Sequence, residues 1–493
     1  MIRSGIFNVT GAALRMAISI VSIPLLIRMI GVEEYGIWTL VSTVVAIATL
    51  AEAGLSVSTT VFLSKDLANG NQTDLAKTIT VSFSTVILLG LVVVFSLSAS
   101  ANYLMSTFTD LSGSQLNTAV AASRLGGIVV FTRLIQRICA GIAQAYQAYG
   151  LLNIISTAQS LLTNFGILVV AHYDNSVLRL MQWHLVSSIF LLCLYLVLST
   201  YLLPSQRKLF IWCNQKFYSM FTYGGLTWIS SIGSALFNRF DKLLVSLFLG
   251  TESLGIYAAF TDIASQINTF SSIAIQPMLP EFSRQIEKRS TEAIQKLQSK
   301  AVKTLYIHSL VTAALGGALI TFAPYVLGLV LPDIESEDFL IQFQVISIIY
   351  TIYSLNAVGY YMMLAFKKAS VCTAIVLTSG IVSLLLITAG AYSFGLSGAI
   401  LGNFGYIITL LATDLGMNYI SVSKGKWLKF LIPFSLWFSL VIVMNFYLLF
   451  GLTTPQSNIQ RAFVFLIQNV SIIGLIFLFL RNSSNFRFKS LRS

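Results

Sequence analysis

The chain has 493 residues, of which 56% are hydrophobic and only 10% are charged, and its mean hydropathy is +0.82. Soluble proteins carry about 25% charged residues. The composition therefore excludes soluble enzymes, secreted disulfide scaffolds and disordered proteins. Its long apolar runs also exclude transmembrane barrels, whose segments are short and alternating. The net charge of +12 does not predict nucleic acid as a partner, because the basic residues lie in short loops between apolar runs.

Neither the cysteines nor the histidines form a recognisable metal motif. The four cysteines contain no CxxC pair, and the three histidines, His172, His184 and His308, are widely separated. The sequence therefore predicts no metal site and no other cofactor.

Fourteen apolar runs are long enough to cross about 30 Å of hydrocarbon. Helices are the expected form, because each run must satisfy its own backbone in lipid. The first run lacks a cleavage-site pattern and is expected to be retained. The predicted spans are roughly 5–27, 37–63, 77–100, 118–143, 151–172, 177–202, 221–249, 253–279, 302–330, 339–365, 369–391, 395–421, 428–450 and 460–480.

The basic residues orient these spans. If the N-terminus is cytoplasmic, 21 Lys and Arg lie in the inner loops and tails, against only Arg28, Arg179 and Arg461 outside. This bias predicts that both termini are cytoplasmic and that the number of spans is even. The inner loop 280–301 has apolar residues spaced as in a short amphipathic helix, which we expect to lie on membrane lipid headgroups.

Two turns of the chain are similar. Residues 31–38 read GVEEYGIW and residues 250–257 read GTESLGIY, at an offset of 219. Chance similarity between helical hairpins is the alternative. Six spans separate the copies, and an even number indicates a parallel repeat, as in transporters built from two equivalent bundles. The sequence thus predicts six-helix lobes at 1–218 and 219–425, followed by two additional helices and a tail at 426–493, with substrate between the lobes.

The residues before the two turns carry a family resemblance. Pro24-Leu25-Leu26-Ile27-Arg28 precedes the first turn, and Arg239-Phe240-Asp241-Lys242 precedes the second. With the turns, they resemble bacterial polysaccharide-biosynthesis flippases of the O-antigen type, in the multidrug/oligosaccharidyl-lipid/polysaccharide superfamily, over essentially the whole chain.

The resemblance implies a MATE-like, all-α polytopic fold and transport rather than catalysis. It implies that an undecaprenyl-pyrophosphate-linked oligosaccharide is moved from the cytoplasmic to the outer leaflet of the bacterial inner membrane by alternating access. A polysaccharide polymerase and glycosyltransferases are the protein partners that it implies. Members of the superfamily commonly have twelve or fourteen spans.

Ionisable residues within spans are costly, at roughly 2.5–3.5 kcal/mol each at a helix centre, so they are expected to face water or one another. Arg15 lies on a polar stripe with Asn8, Gly11, Ser19 and Ser22 and is predicted to face the central cavity. The ten such residues are Arg15, Glu52, Arg124, Arg133, Arg137, Arg239, Asp241, Lys242, Asp262 and Asp414.

Four further basic residues are substrate-binding candidates with Arg15. Arg133 and Arg137 lie one helical turn apart, and their forked guanidinium groups suit a pyrophosphate. The alternative for Arg137 is that it snorkels to the inner headgroups. Arg239 and Lys242 lie on or beside the polar stripe of the seventh span and complete the predicted cavity set.

Two carboxylates are candidates for coupling transport to H⁺ or Na⁺. Glu52 lies in the middle of the second span, and it either binds the coupling ion or neutralises Arg15. Asp262 lies one turn from Gln266 with no cation on its own face. Asp241 is expected to pair locally with its basic neighbours.

Other functions remain as alternatives. A multidrug or cation exporter of the same superfamily should carry mainly acidic residues in its spans, whereas here six basic residues oppose four acidic ones. An integral-membrane glycan-processing enzyme should present acid, base or nucleophile groups near one membrane face. The longest outer stretch, 101–117, has only Asp110. A structural scaffold would not require the charges within the spans.

Overall fold

The computed structural model describes residues 21–52, 54–203, 211–235, 239–276, 278–287, 290–331, 337–429, 431–450, 470–472 and 474. All regular secondary structure in these ranges is helical, which confirms the predicted all-α class. The chain forms two compact units. The first comprises Met1–Ala259 and Ile387–Leu396, and the second comprises Phe260–Leu386 and Ser397–Ser493.

Among the described residues, ten α-helices form or begin in the first unit, and two of the predicted spans are interrupted by other helix types. The second predicted span contains a 3₁₀ turn at Thr49–Glu52, and the fifth contains a π-helical turn at Leu161–Phe165. The helices are α1 Val21–Ile30, α2 Val32–Ala48, α3 Leu55–Ala68, α4 Gln72–Phe108, α5 Gly113–Ala145, α6 Tyr149–Ser160, α7 Gly166–Tyr173, α8 Val177–Leu202, α9 Asn214–Ala235 and α10 Asp241–Ile275.

Nine further α-helices follow in the described part of the chain, and their packed apolar side chains form the core of the second unit. Phe282 and Val358 are buried in one cluster, and Trp437 packs against Gly317 in another. The helices are α11 Met278–Glu287, α12 Thr291–Thr321, α13 Ala323–Val330, α14 Glu337–Ser354, α15 Ala357–Ala365, α16 Ala369–Gly402, α17 Leu411–Tyr419, α18 Lys424–Lys429 and α19 Ile432–Phe450, with a 3₁₀ segment at Asn403–Leu410.

Nine helical segments in the described ranges are long and apolar enough to cross a membrane, and two shorter apolar helices accompany them. The chain is therefore a multi-pass membrane protein. The segment Ala369–Tyr419 holds two predicted spans, separated by a non-helical glycine at Gly395. The segment Asp241–Ile275 holds the end of the seventh predicted span and most of the eighth, separated by a non-helical glycine at Gly250. The total of fourteen stays a prediction, because most of the span at 460–480 lies outside the described residues.

Several helices are longer than the predicted spans. The fourth helix begins at Gln72 and ends at Phe108, where 77–100 was predicted, because helical hydrogen bonding continues beyond the hydrocarbon-length apolar run. The amphipathic helix expected within 280–301 is instead divided. Its first part is α11, which buries Phe282, and Ala293 and Leu297 are buried in the first turns of α12.

Four turns at predicted cytoplasmic positions end the preceding helix in the same way. Gly70, Gln147, Lys367 and Ser421 all have φ between 57° and 64°. In each, the N–H of this residue bonds to the carbonyl three residues earlier, and the next N–H bonds to the carbonyl five residues before it. This is the Schellman arrangement, which satisfies carbonyl groups that a helix end leaves free.

The turns of the predicted repeat share another conformation. Gly31 has φ 85° and ψ 164°, and Gly250 has φ 78° and ψ 178°. Only glycine adopts this region readily. Two of the Schellman turns have nearly the same offset as the repeat. Their left-handed residues, Gln147 and Lys367, lie 220 residues apart, against 219 for the repeat turns. The predicted lobe boundaries at 218 and 425 remain predictions.

A candidate cationic substrate site

An ion pair joins the second and fourth predicted spans in the first unit. Arg137 Nη1 donates to Glu52 Oε2 at 2.6 Å. The Glu52 side chain is only 5% exposed, whereas that of Arg137 is 53% exposed. The arginine thus neutralises a buried carboxylate and still presents part of its guanidinium group on the surface of the unit.

The local backbone explains why Glu52 points to this position. The helix is broken at Thr49–Glu52 and restarts after Gly54, which has a left-handed φ of 72°. Glu52 Oε1 accepts from the backbone N–H of Ser56 at 2.9 Å. This N–H belongs to the first turn of α3, where a donor lacks a helical partner and negative charge is favourable.

Close packing of α3 against α5 brings Arg137 to Glu52. A Cβ on Gly141 would lie 2.9 Å from the Ser56 carbonyl oxygen, so a glycine is required for this approach. Beyond it, Thr60 Oγ1 donates to Gln144 Oε1 at 3.3 Å. Polar pairs therefore lie on both sides of the helix contact, and Arg137 and Gln144 share the helix face that their spacing predicts.

Arg133, one turn before Arg137 on α5, has a different partner. Its Nη2 contacts Nε2 of His184 on α8. The His184 side chain is buried, and its ring packs against Trp38, with ring centroids 6.0 Å apart. Trp38 is the aromatic residue that ends the first repeat turn.

Arg239 contributes a third positive charge. The positive charges of Arg137 and Arg239 both repel the positive charge of Arg133. We call Arg133, Arg137 and Arg239 the arginine cluster. Of the described carboxylates, Glu52 is ion-paired with one of its members, so the cluster has a net positive charge. Such an excess suits an anionic ligand.

The residues after Arg239 are more deeply buried. Asp241 and Lys242 are 1% and 3% exposed, and the Tyr257 hydroxyl lies 3.1 Å from Asp241 Oδ2. Tyr257 is the aromatic residue that ends the second repeat turn, so in both repeats this aromatic contacts a titratable side chain.

A second polar cluster was not anticipated from the sequence. Asp66 accepts from Lys216 Nζ at 2.7 and 2.8 Å and from Thr78 Oγ1 at 2.5 Å. The Lys216 ammonium also lies 5.5 Å from the ring centre of Phe62. These residues lie at the predicted cytoplasmic ends of three spans. No local spacing indicates the cluster, because Asp66 and Lys216 are 150 residues apart.

The structure leaves the roles predicted for individual residues untested. Arg15 lies outside the described residues. Asp262 belongs to the second unit, where its backbone carbonyl accepts from Gln266 Nε2 at 3.1 Å. Within the described ranges, no group of three or more His, Cys, Asp or Glu residues is arranged to hold a metal ion.

Two solved structures share the fold. The lipid II flippase MurJ, in an inward closed conformation, matches with a TM-score of 0.72 at 14% identity, over 99% of this chain and 100% of that chain. An inward-facing multidrug resistance MATE family transporter of the MOP superfamily matches with a TM-score of 0.63 at 14% identity, over 83% and 98% of the two chains. This chain therefore shares the fold of MurJ and of this MATE family transporter.

The sequence matches the polysaccharide biosynthesis protein family over residues 1–285, and the chain belongs to this family. This confirms the resemblance drawn from the two turn motifs. A putative O-antigen transporter from Shigella flexneri is 23% identical over 290 residues, which are 57% of this chain. The matched region is 66% of that relative, slightly less than two thirds of its length.

Proposed function

We propose that this protein is a flippase that moves an undecaprenyl-pyrophosphate-linked oligosaccharide from the cytoplasmic to the outer leaflet of a bacterial inner membrane by alternating access. The observation that carries the proposal is the arginine cluster, which concentrates positive charge within membrane-spanning helices. Family membership and the similarity to a putative O-antigen transporter and to MurJ support the substrate class.

The arginine cluster is the proposed pyrophosphate site. Arg137 is half exposed although it lies eight residues before the end of α5, about 12 Å at 1.5 Å per residue. A charged group at such a depth is stabilised by water or a counter-ion rather than by lipid. The phosphate oxygens would accept from the forked donors of Arg137 and Arg133. Arg15, Arg239 and Lys242 complete the proposed site.

Glu52 gives this site a means of coupling. A pyrophosphate oxygen that binds Arg137 Nη1 takes the place of Glu52 Oε2. The displaced carboxylate is buried, and it then keeps only the Ser56 N–H, so it takes up a proton or Na⁺. Release of the substrate reverses the exchange. Asp262 is the second proposed coupling residue.

The proposed orientation follows the basic residues. With both termini in the cytoplasm, the substrate is received from glycosyltransferases on the inner side and delivered to a polymerase on the outer side. The proposed reaction is a change of leaflet with no bond made or broken, so the protein is proposed to be a transporter and not an enzyme.

A transport assay with matched variants tests the proposal. Purified protein in vesicles should bring lipid-linked oligosaccharide to the outer leaflet. Loss of one charge-assisted contact costs about 1.5–3 kcal/mol, or roughly 10- to 100-fold in binding, so Arg137→Ala and Arg133→Ala should lower transport by this order. Arg179→Ala is the control, because Arg179 is 60% exposed and pairs with Asp174 in a predicted outer loop.

Unchanged transport in both cluster variants would contradict the role of the cluster. Movement of the glycolipid without the protein would contradict the flippase itself. Efflux of a cationic dye in place of glycolipid movement would favour the multidrug exporter.

A further inference from the structure

The contact between Arg133 and His184 fixes the protonation of the imidazole. A guanidinium group has donors only, so Nε2 of His184 must accept and must carry a lone pair. The ring is therefore neutral, with its proton on Nδ1. Among the described residues, Nδ1 has no hydrogen-bond partner.

The elements around α8 supply few other charges to this ring. On α5 the ring faces Arg133, and Arg137 follows one turn later. On α2 the neighbour is the uncharged Trp38. The nearest carboxylate on α2, Glu34, bonds to the backbone of Val177, seven residues before His184.

Other titratable groups on these elements include Tyr35 on α2, Arg124 and Cys139 on α5, and Tyr201 on α8. His172 on α7 packs against the exposed Tyr173, and Tyr149 is exposed at the start of α6. On α8 itself, Arg179 pairs with Asp174, and Cys193 and Tyr195 lie more than two turns after His184. Arg133 is therefore the charged group that contacts the His184 ring.

We propose that His184 is a positioning residue that holds Arg133 away from substrate when neutral and releases it when protonated. A proton that adds to the Nε2 lone pair removes the acceptor, and the imidazolium then repels the guanidinium. Released Arg133 turns its donors to a bound phosphate, whose negative charge stabilises both cations. Proton uptake and anion binding therefore favour each other, and this coupling is reciprocal. The inference rests on the proposed role of the arginine cluster as a pyrophosphate site.

His184→Gln separates this role from simple packing. The Gln side-chain oxygen accepts from Arg133 at every pH but takes up no proton. His308→Gln is the control, because His308 is likewise buried, at 5% exposure, but lies in the second unit. Inorganic pyrophosphate serves as the probe. Its own protonation changes with pH, but this effect is the same for every variant and cancels in the ratio of two affinities measured at one pH.

Binding of pyrophosphate to the full-length protein is measured from about pH 8 to about pH 5.5, a range that includes the pH at which an unperturbed histidine titrates. The ratio of wild-type to His184→Gln affinity should rise on acidification, by up to about tenfold per pH unit for one linked proton. The ratio of wild-type to His308→Gln affinity should stay constant.

Two outcomes overturn different statements. If the wild-type to His184→Gln ratio does not change with pH while Arg133→Ala weakens binding, His184 does not control Arg133, and the proposed site stands. If Arg133→Ala and Arg137→Ala bind pyrophosphate as well as wild type does, the site itself is wrong, and the inference fails with it. If His184→Gln does not fold, His184→Asn provides the same non-titrating amide for the comparison.

Discussion

Gly36 lies directly against the backbone of Thr251, so that a Cβ on Gly36 would be 1.9 Å from the Thr251 carbonyl oxygen. The reciprocal contact also exists, because a Cβ on Gly255 would be 2.3 Å from the Val32 carbonyl oxygen. These are the sixth and second positions of the two repeat turns. The two copies thus meet through equivalent positions, as in a self-complementary two-fold interface.

The first prediction follows from this contact. Gly36→Ala and Gly255→Ala should each lower the free energy of unfolding by about 1–3 kcal/mol, because a methyl group there must displace backbone. The double variant should lose less free energy of unfolding than the sum of the two single losses, because either methyl group alone separates the same two turns. Thermal unfolding in detergent measures this, with Gly225→Ala as the control because its Cβ position is open. Additive losses would mean that the two contacts are independent.

The sequence predicted features that depend on local pattern. The all-α class, the sixth span at 177–202 and the repeat turns follow from apolar run length and from glycine spacing within eight residues. The structure adds contacts between distant positions. Glu52 and Arg137 are 85 residues apart, and nothing in either helix predicts which partner its neighbours will bring. The sequence shows only that His184 belongs to no metal motif, and its contact with Arg133 joins positions 51 residues apart.

A second prediction compares a buried ion pair with an exposed one. Lys216 and Asp66 are 16% and 6% exposed, whereas Lys77 and Asp74 are 32% and 38% exposed at a similar separation of 2.8 Å. Lys216→Met should destabilise the protein by about 3 kcal/mol, because it leaves a buried carboxylate without its cation. Lys77→Met should destabilise the protein much less, because solvent screens an exposed ion pair. Equal losses in thermal unfolding would show that burial does not govern the Asp66 pair.

A third prediction separates stability from transport at Glu52. Arg137→Ala should reduce the free energy of unfolding by about 1–3 kcal/mol, because the buried carboxylate loses its charged donor. Adding Glu52→Gln should restore much of this loss, because a neutral amide is cheaper to bury and its oxygen still accepts from Ser56 N–H. Transport should stay low in the double variant, since the arginine is absent. Recovery of transport with stability would show that Arg137 serves only to neutralise Glu52.

The left-handed turns give a fourth prediction. Lys367 has φ 59°. This left-handed conformation is unfavourable for a residue with a Cβ atom but not for glycine. Lys367→Gly should therefore raise the free energy of unfolding by about 0.5–1 kcal/mol while keeping the Schellman hydrogen bonds. The adjacent Lys368, at φ −97°, is the control, and Lys368→Gly should be neutral or destabilising. Stabilisation by both changes would indicate that loss of charge, and not relief of strain, is responsible.

The last prediction concerns the orientation of the chain in the membrane. The turns at Gly70, Gln147, Lys367 and Ser421 fall at predicted cytoplasmic positions, and the loops at Glu34, Asp110 and Glu337 at predicted outer ones. Single cysteines at 34, 110 and 337, in a chain without its four native cysteines, should react with an impermeant thiol reagent on intact cells. Cysteines at 65, 147 and 367 should react only after the membrane is opened. Since consecutive turns alternate sides, labelling of 147 and 367 from outside with protection of 34 and 110 would invert the topology. Labelling of 147 but not 367 from outside would mean that an odd number of crossings lies between them, and the parallel repeat would then be wrong.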